Sequence, residues 1–162
     1  MKKILFVATG GTIASKKTEN GLTPQITPEE LISYIPEVEK ICEITAVQPF
    51  NLDSSNVVPE NWSMLVKVIR EHYDAFDGFI IAHGTDTMAY TGAALSQALA
   101  GSGRRVILCG AMVPLGMQGD AEANLDLAID AARAAAPGVW LAFDGRLWPA
   151  GALVKTDSHA HA

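Results

Sequence analysis

Phe79-Ile80-Ile81-Ala82-His83-Gly84-Thr85-Asp86-Thr87-Met88 passes from a short apolar run into a polar cluster and then into a segment of helical character. Phe79 to Ala82 has the composition of a buried strand, and Met88 to Ala100 reads as a helix. The polar cluster therefore sits where a strand ends and a helix begins, the place where parallel α/β sheets bind their ligands. Thr85 and Asp86 would stand at a helix N-terminus, where free N–H groups and the helix dipole favour an anionic group. The plainer alternative is that one of them is only an N-cap.

Working outward, the same arrangement recurs. Ile4 to Ala8 is a second buried-type strand, followed by Thr9-Gly10-Gly11-Thr12-Ile13-Ala14-Ser15. The glycines permit a tight turn and close approach of backbone to a ligand. The run matches neither G-x-G-x-x-G nor G-x-x-x-x-G-K-[ST], so a nucleotide site has little support. Lys16 to Pro24 is polar with a turn signal at Asn20-Gly21, and reads as a mobile loop beside Thr12, either a lid or a plain connection. Thr27-Pro28-Glu29-Glu30 opens a short helix as cap, first-turn proline and capping box, ending before Pro36. Ile41 to Phe50 is the next strand, and it delivers a third polar cluster, Asn51-Leu52-Asp53-Ser54-Ser55-Asn56.

Pro59 starts a helix in which Trp62, Leu65, Val66, Ile69 and Tyr73 recur at helical spacing and should face the sheet as core. Gly92 inside the next helix costs about 1 kcal/mol relative to Ala, which a close packing contact would explain. Arg105 to Cys109 is a strand ending in Gly110-Ala111-Met112-Val113-Pro114, and Asp120 can cap a helix running to Ala136. Val139 to Phe143 is the last clear strand; turns follow at Asp144-Gly145 and Pro149-Ala150-Gly151, and Ala152-Leu153-Val154 leads to Lys155. Alternating helices and doubly apolar strands predict an α/β fold: three layers, doubly wound, a mainly parallel sheet with helices on both faces.

Bulk properties narrow the function. The 162 residues suit one domain with a full core, and 49% hydrophobic residues argue against disorder. A net charge of −6 with no basic stripe gives nucleic-acid binding no electrostatic support. No apolar run approaches membrane-spanning length. Lys2 and Lys3 precede only a short apolar run with no small-residue cleavage site, so no signal peptide is read and a cytoplasmic location is expected. Cys42 and Cys109 read as buried free thiols rather than a disulfide, and the four histidines show no metal-ligand spacing with them. His159 and His161 read as chain-end residues.

Thr12, Thr85, Asp86, Ser54, Ser55 and Lys155 all follow strands, and a parallel sheet places such ends along one edge. A threonine hydroxyl must lose its proton to act as a nucleophile, and a lysine whose pKa is lowered by burial can accept it. A carboxylate can hold that lysine or bind a substrate ammonium, and backbone N–H groups beside glycines can stabilise an oxyanion. Together these groups suit acyl transfer.

Thr9 to Ser15 (TGGTIAS) with His83 to Met88 (HGTDTM) resembles the L-asparaginase family, the bacterial type with a threonine nucleophile. The resemblance runs from Thr9 to Ser158. It implies hydrolysis of L-asparagine, with glutamine as a further candidate, to the acid and ammonia through an acyl-threonine intermediate, with no cofactor and no metal. It implies Thr12 as nucleophile, with Thr85, Lys155 and Asp86 handling protons. Asp86 would also bind the substrate α-amino group. Ser54, with Ser55 beside it, would hold the α-carboxylate, and the Ala111 carbonyl would receive the amide nitrogen. Three positions depart from the family pattern: Leu22 stands where a lid tyrosine is usual, with Thr23 nearby, Ser55 where glutamine is frequent, and Val113 where arginine is frequent.

The family's full chain carries a second, smaller domain, and its sites are completed at a subunit interface. Residues 1–162 are accordingly read as the N-terminal domain, ending shortly after the catalytic lysine with the C-terminal domain absent, and a homo-oligomer is expected. Two other readings stand beside this one. The first is the ammonia-releasing subunit of an archaeal tRNA-dependent amidotransferase, which a long N-terminal extension would mark; here the first strand starts at Ile4. The second is an inactive domain that only binds small amino acids or assembles.

Overall fold

A computed structural model describes residues 1–10, 15–18, 21–24, 28–34, 36–50, 52, 57–111 and 119–150. Its centre is a six-stranded sheet. Strands β1 (Lys2–Ala8), β4 (Cys42–Val47), β5 (Gly78–Ala82), β6 (Arg105–Cys109) and β7 (Gly138–Phe143) are parallel, and β8 (Arg146–Pro149) returns antiparallel to β7. The spatial order is β4-β1-β5-β6-β7-β8. Numbered among the parallel strands alone, this is 2-1-3-4-5, the doubly wound order whose direction of winding reverses between β1 and β5.

Each central strand is apolar on both sides because each side meets helices. Ile4, Phe6, Ala8, Ile80, Ala82, Ile107 and Cys109 face one way and pack with Leu125, Ala128 and Ala132 of α4 (Ala121–Ala134). Leu5, Val7, Phe79, Ile81, Val106 and Leu108 face the other way and pack with α2 (Pro59–Glu71) and α3 (Met88–Ala98). Alternate residues of one strand thus enter two different cores, as the pleat dictates. The expected three-layer, mainly parallel α/β architecture is what forms.

Most differences are local. The strand expected over Ile41 to Phe50 is shorter, Cys42–Val47, and a 3₁₀ turn over Pro36–Lys40 separates it from α1 (Pro28–Ser33). The Thr27 cap expected for α1 lies outside the described residues. Within Lys16 to Pro24, the expected polar loop is instead a hairpin, β2 (Ser15–Thr18) against β3 (Gly21–Pro24). Its two strands pair with one another, which polarity alone does not reveal. β8 is a further strand, beyond those that periodicity predicts. Asp144 (φ 53°) and Gly145 (φ 71°) form a two-residue turn between the paired Phe143 and Arg146, and left-handed backbone at both central positions matches the twist of a hairpin.

Trp62 is a correction. Helical spacing predicts it in the sheet-facing core with Leu65 and Ile69, but only those two of α2 are fully buried. Trp62 is half-buried and, with Val66, lines a groove against Ala94 and Ala98 of α3. Its indole N–H satisfies itself on a neighbouring helix rather than in the core. Gly92 does sit at a close contact: a Cβ there would stand 3.1 Å from Ala150 Cβ and 3.4 Å from Leu141 Cδ2. Cys42 and Cys109 are buried free thiols, and burial raises the pKa of both. No helix among the described residues is long and apolar enough to cross a membrane.

Candidate active site

The winding reverses between β1 and β5, the switch point beyond whose strand ends doubly wound sheets form their ligand crevice. Three loop segments are tied together there by backbone. The Thr9 N–H, just past β1, donates to the Ala82 carbonyl at 3.0 Å, and its hydroxyl donates to the same oxygen at 2.6 Å. The Leu52 N–H, from the segment after β4, donates to the Thr9 carbonyl at 2.8 Å. The His83 N–H, just past β5, donates to the Cys109 carbonyl at 2.8 Å, the last rung linking β5 to β6. Thr9 is itself buried, and its hydroxyl is committed to Ala82, so it serves the scaffold rather than chemistry.

Thr85 and Asp86 lie in the turn that leaves β5. α3 begins only at Met88, with Thr87 in the cap position and no side-chain cap bond. Thr85 and Asp86 therefore precede the helix, and neither is its N-cap, which removes the plainer reading of the motif. Thr85 is 8% exposed while Asp86 is exposed, so a hydroxyl lies at the boundary of the core with a carboxylate beside it at the sheet edge. Ala111, just past β6, is buried. Of the expected site residues, these three belong to one region, on the adjacent ends of β5 and β6. Thr12, Ser54, Ser55 and Lys155 lie outside the described residues, as do Val113, His159 and His161. The side chains of Leu22 and Thr23 are likewise not described.

Side chains outside the sequence motifs hold this edge in place. His83 is fully buried; its Nδ1 lies 2.7 Å from the Gly84 carbonyl and its Nε2 lies 2.9 Å from Thr91 Oγ1. Trp62 Nε1 donates to the same Thr91 hydroxyl at 2.8 Å. Burial lowers the pKa of His83, opposed in part by its bond to Gly84, so the ring is held neutral. On the neighbouring strand end, buried Asn124 donates from Nδ2 to the Gly110 carbonyl at 2.9 Å and to Asp120 Oδ2 at 3.3 Å. Its Oδ1 accepts the Asp144 N–H at 3.1 Å. One amide thus joins the loops after β6 and β7 to the start of α4. Asp120 occupies the expected cap position of α4 but makes no side-chain cap bond. A polar residue on a core-facing helical position, Thr91 in α3 or Asn124 in α4, was the available signal.

A hydroxyl and a carboxylate at the crevice, on a turn braced from behind by a neutral imidazole, suit binding and proton handling around a small polar substrate. The family model described as asparaginase, N-terminal, matches residues 3–162. The chain belongs to the asparaginase family. This asparaginase domain is 38% identical over 143 residues to the L-asparaginase of Thermococcus kodakarensis, covering 87% of this chain and 44% of that protein. It is 45% identical over 100 residues to a glutamyl-tRNA(Gln) amidotransferase subunit of Sulfolobus acidocaldarius, covering 58% and 22% respectively. The crystal structure of a probable cytoplasmic L-asparaginase from Campylobacter jejuni superposes with a TM-score of 0.86 at 33% identity, over 98% of this chain and 49% of that one. The asparaginase domain therefore spans less than half the length of the curated relatives it matches.

Proposed function

We propose that the chain supplies the nucleophile-bearing domain of an L-asparaginase, hydrolysing L-asparagine to L-aspartate and ammonia through an acyl-threonine ester. The observation that carries this reading is the Thr85–Asp86 turn at the crevice between β1 and β5, in a chain whose asparaginase match runs over residues 3–162. The bond from Leu52 to Thr9, and from Thr9 to Ala82, supports it: these residues lead directly into the segments that carry Ser54, Thr12 and Thr85.

In this proposal the Thr12 hydroxyl attacks the side-chain amide carbon of asparagine. The hydroxyl proton passes to the neutral amine of Lys155, with Thr85 and Asp86 holding that amine. The carbonyl π electrons move to oxygen, and backbone N–H donors beside the glycines stabilise the oxyanion. Collapse breaks the C–N bond, the proton goes to the leaving nitrogen, and ammonia departs. Water then attacks the ester carbonyl and gives a proton to the Lys155 amine; collapse breaks the acyl C–O bond, and that proton restores the Thr12 hydroxyl as aspartate leaves. Asp86 binds the α-ammonium, Ser54 and Ser55 the α-carboxylate, and the Ala111 carbonyl the amide nitrogen. No cofactor or metal is required. Glutamine is a second substrate, since one methylene changes selectivity by only about 1–3 kcal/mol. A homo-oligomer in the cytoplasm is the setting we propose, the site being completed by a further domain and a neighbouring subunit.

The test is ammonia release from asparagine and glutamine by the purified protein and its Thr12→Ala variant. Turnover in the parent and its loss in the variant, with unchanged circular dichroism, is the expected result. An alanine variant with unaltered turnover moves the nucleophile elsewhere, and a parent that releases no ammonia either alone or with a partner protein added overturns the reading. The likeness to an amidotransferase component favours a second reading, in which the same hydrolysis supplies ammonia to a partner enzyme. Turnover that appears only when a partner protein is added would select it.

A further inference from the structure

We infer that His83, set by Thr91 and Trp62, is a positioning residue that holds the Gly84–Thr85 peptide, and with it Thr85 and Asp86, in the orientation the reaction uses. The inference rests on the asparaginase reading of Thr85 and Asp86 and concerns residues to which that reading gives no role.

The direction of every bond in the chain follows from its two ends. The indole N–H of Trp62 is a donor only, so at 2.8 Å it makes the Thr91 hydroxyl an acceptor. The hydroxyl's own proton is then available to His83 Nε2 at 2.9 Å. An Nε2 that accepts places the ring proton on Nδ1, which donates to the Gly84 carbonyl at 2.7 Å. The opposite tautomer would set an unprotonated Nδ1 against a carbonyl oxygen, two acceptors facing one another in a fully buried position.

What the relay holds is a peptide plane. The carbonyl of Gly84 and the N–H of Thr85 belong to one rigid unit and point in opposite directions. Fixing the carbonyl on His83 therefore fixes the Thr85 N–H, and the backbone that carries Thr85 and Asp86 starts from a set direction. The relay gathers three elements, α2 through Trp62, α3 through Thr91 and the end of β5 through His83. The turn is thus referenced to both helices on one face of the sheet. A merely satisfied core histidine would need one partner per nitrogen; it would not need the second donor that orients Thr91.

Thr91→Val keeps the shape and removes the hydroxyl, while Thr91→Ser keeps the hydroxyl. Loss of the relay should lower kcat/KM for asparagine about 10- to 100-fold, the scale of a small misplacement of reacting groups, with kcat falling through Thr85 and KM rising through Asp86. Thr91→Ser should restore most of the turnover. Nitrogen NMR of the parent should show His83 protonated on Nδ1 alone. The Thr85 and Asp86 amide resonances should move in Thr91→Val and stay in Thr91→Ser. A valine variant with parental kcat/KM and unmoved Thr85 and Asp86 resonances, or a parent protonated on Nε2 alone, overturns the inference. A parent that releases no ammonia either alone or with a partner protein added defeats the asparaginase reading, and the NMR measurements then decide by themselves whether the relay sets the turn.

Discussion

Gly110 lies so close to His83 that a Cβ on residue 110 would stand 2.7 Å from the His83 carbonyl oxygen. The same Cβ would be 3.1 Å from Thr85 Cγ2 and 3.2 Å from Met88 Sδ. The end of β6 is therefore in contact with the turn that carries Thr85 and Asp86, and the space between them admits backbone alone.

Gly110→Ala should be costly in two ways. The His83 carbonyl cannot retreat easily, because the His83 N–H is bonded to Cys109 on the same neighbouring strand at 2.8 Å. Overpacking of this kind costs about 1–3 kcal/mol. Since the added methyl also presses on Thr85, turnover should fall further than the stability loss accounts for. Urea unfolding beside kcat for asparagine checks both. A variant that keeps parental values would show that the turn can yield.

Asn124→Leu should destabilise by removing a buried bridge without removing what it bridges. The Gly110 carbonyl and the Asp144 N–H would lose their Asn124 partner, at about 1–3 kcal/mol for each group left unsatisfied. Asn124→Asp should be informative in the opposite sense of charge. At neutral pH it would set a second carboxylate 3.3 Å from Asp120 Oδ2 and lose the donor to Gly110. Protonation restores a donor, so this variant should gain stability relative to the parent as pH falls from 7 to 5. Thermal melts of the parent and both variants across that range are the measurement.

His83 should make the fold acid-sensitive. Burial lowers its pKa below the ordinary 6.5, so the folded protein stays unprotonated there while the unfolded chain takes up a proton. The unfolded state then binds more protons, and stability falls as pH drops below 6.5 towards the folded-state value. The slope contributed by this one group approaches about 1.4 kcal/mol per pH unit. Above 6.5 the contribution is complete and flat. His83→Gln should be less stable at neutral pH but should lack this part of the slope, read from urea unfolding at a series of pH values. An unchanged slope would assign the acid sensitivity to other groups.

By itself the sequence determined the layers. Ile4 to Ala8, Phe79 to Ala82 and Arg105 to Cys109 are apolar without alternation, and a strand of that kind is stable only with helices on both faces. Arg105 to Cys109 is matched residue for residue, and Gly92 signals its close contact from sequence, because composition and period are properties of a short stretch. The Thr85–Asp86 motif was equally visible, being contiguous in the chain.

Only the tertiary structure decided which strand lies beside which. The order β4-β1-β5-β6-β7-β8 puts the end of β5 against the end of β1, and that adjacency, not the motif, creates the crevice. Nothing local to Thr9 says that its hydroxyl will be consumed by the Ala82 carbonyl. Nothing local to Trp62 says that it will leave the core to orient Thr91, or to Asn124 that it will join Gly110, Asp120 and Asp144. A residue's burial preference is written in its own side chain and its near neighbours. Its hydrogen-bond partner is a distant residue, chosen only when the sheet closes and leaves a buried polar group no other choice.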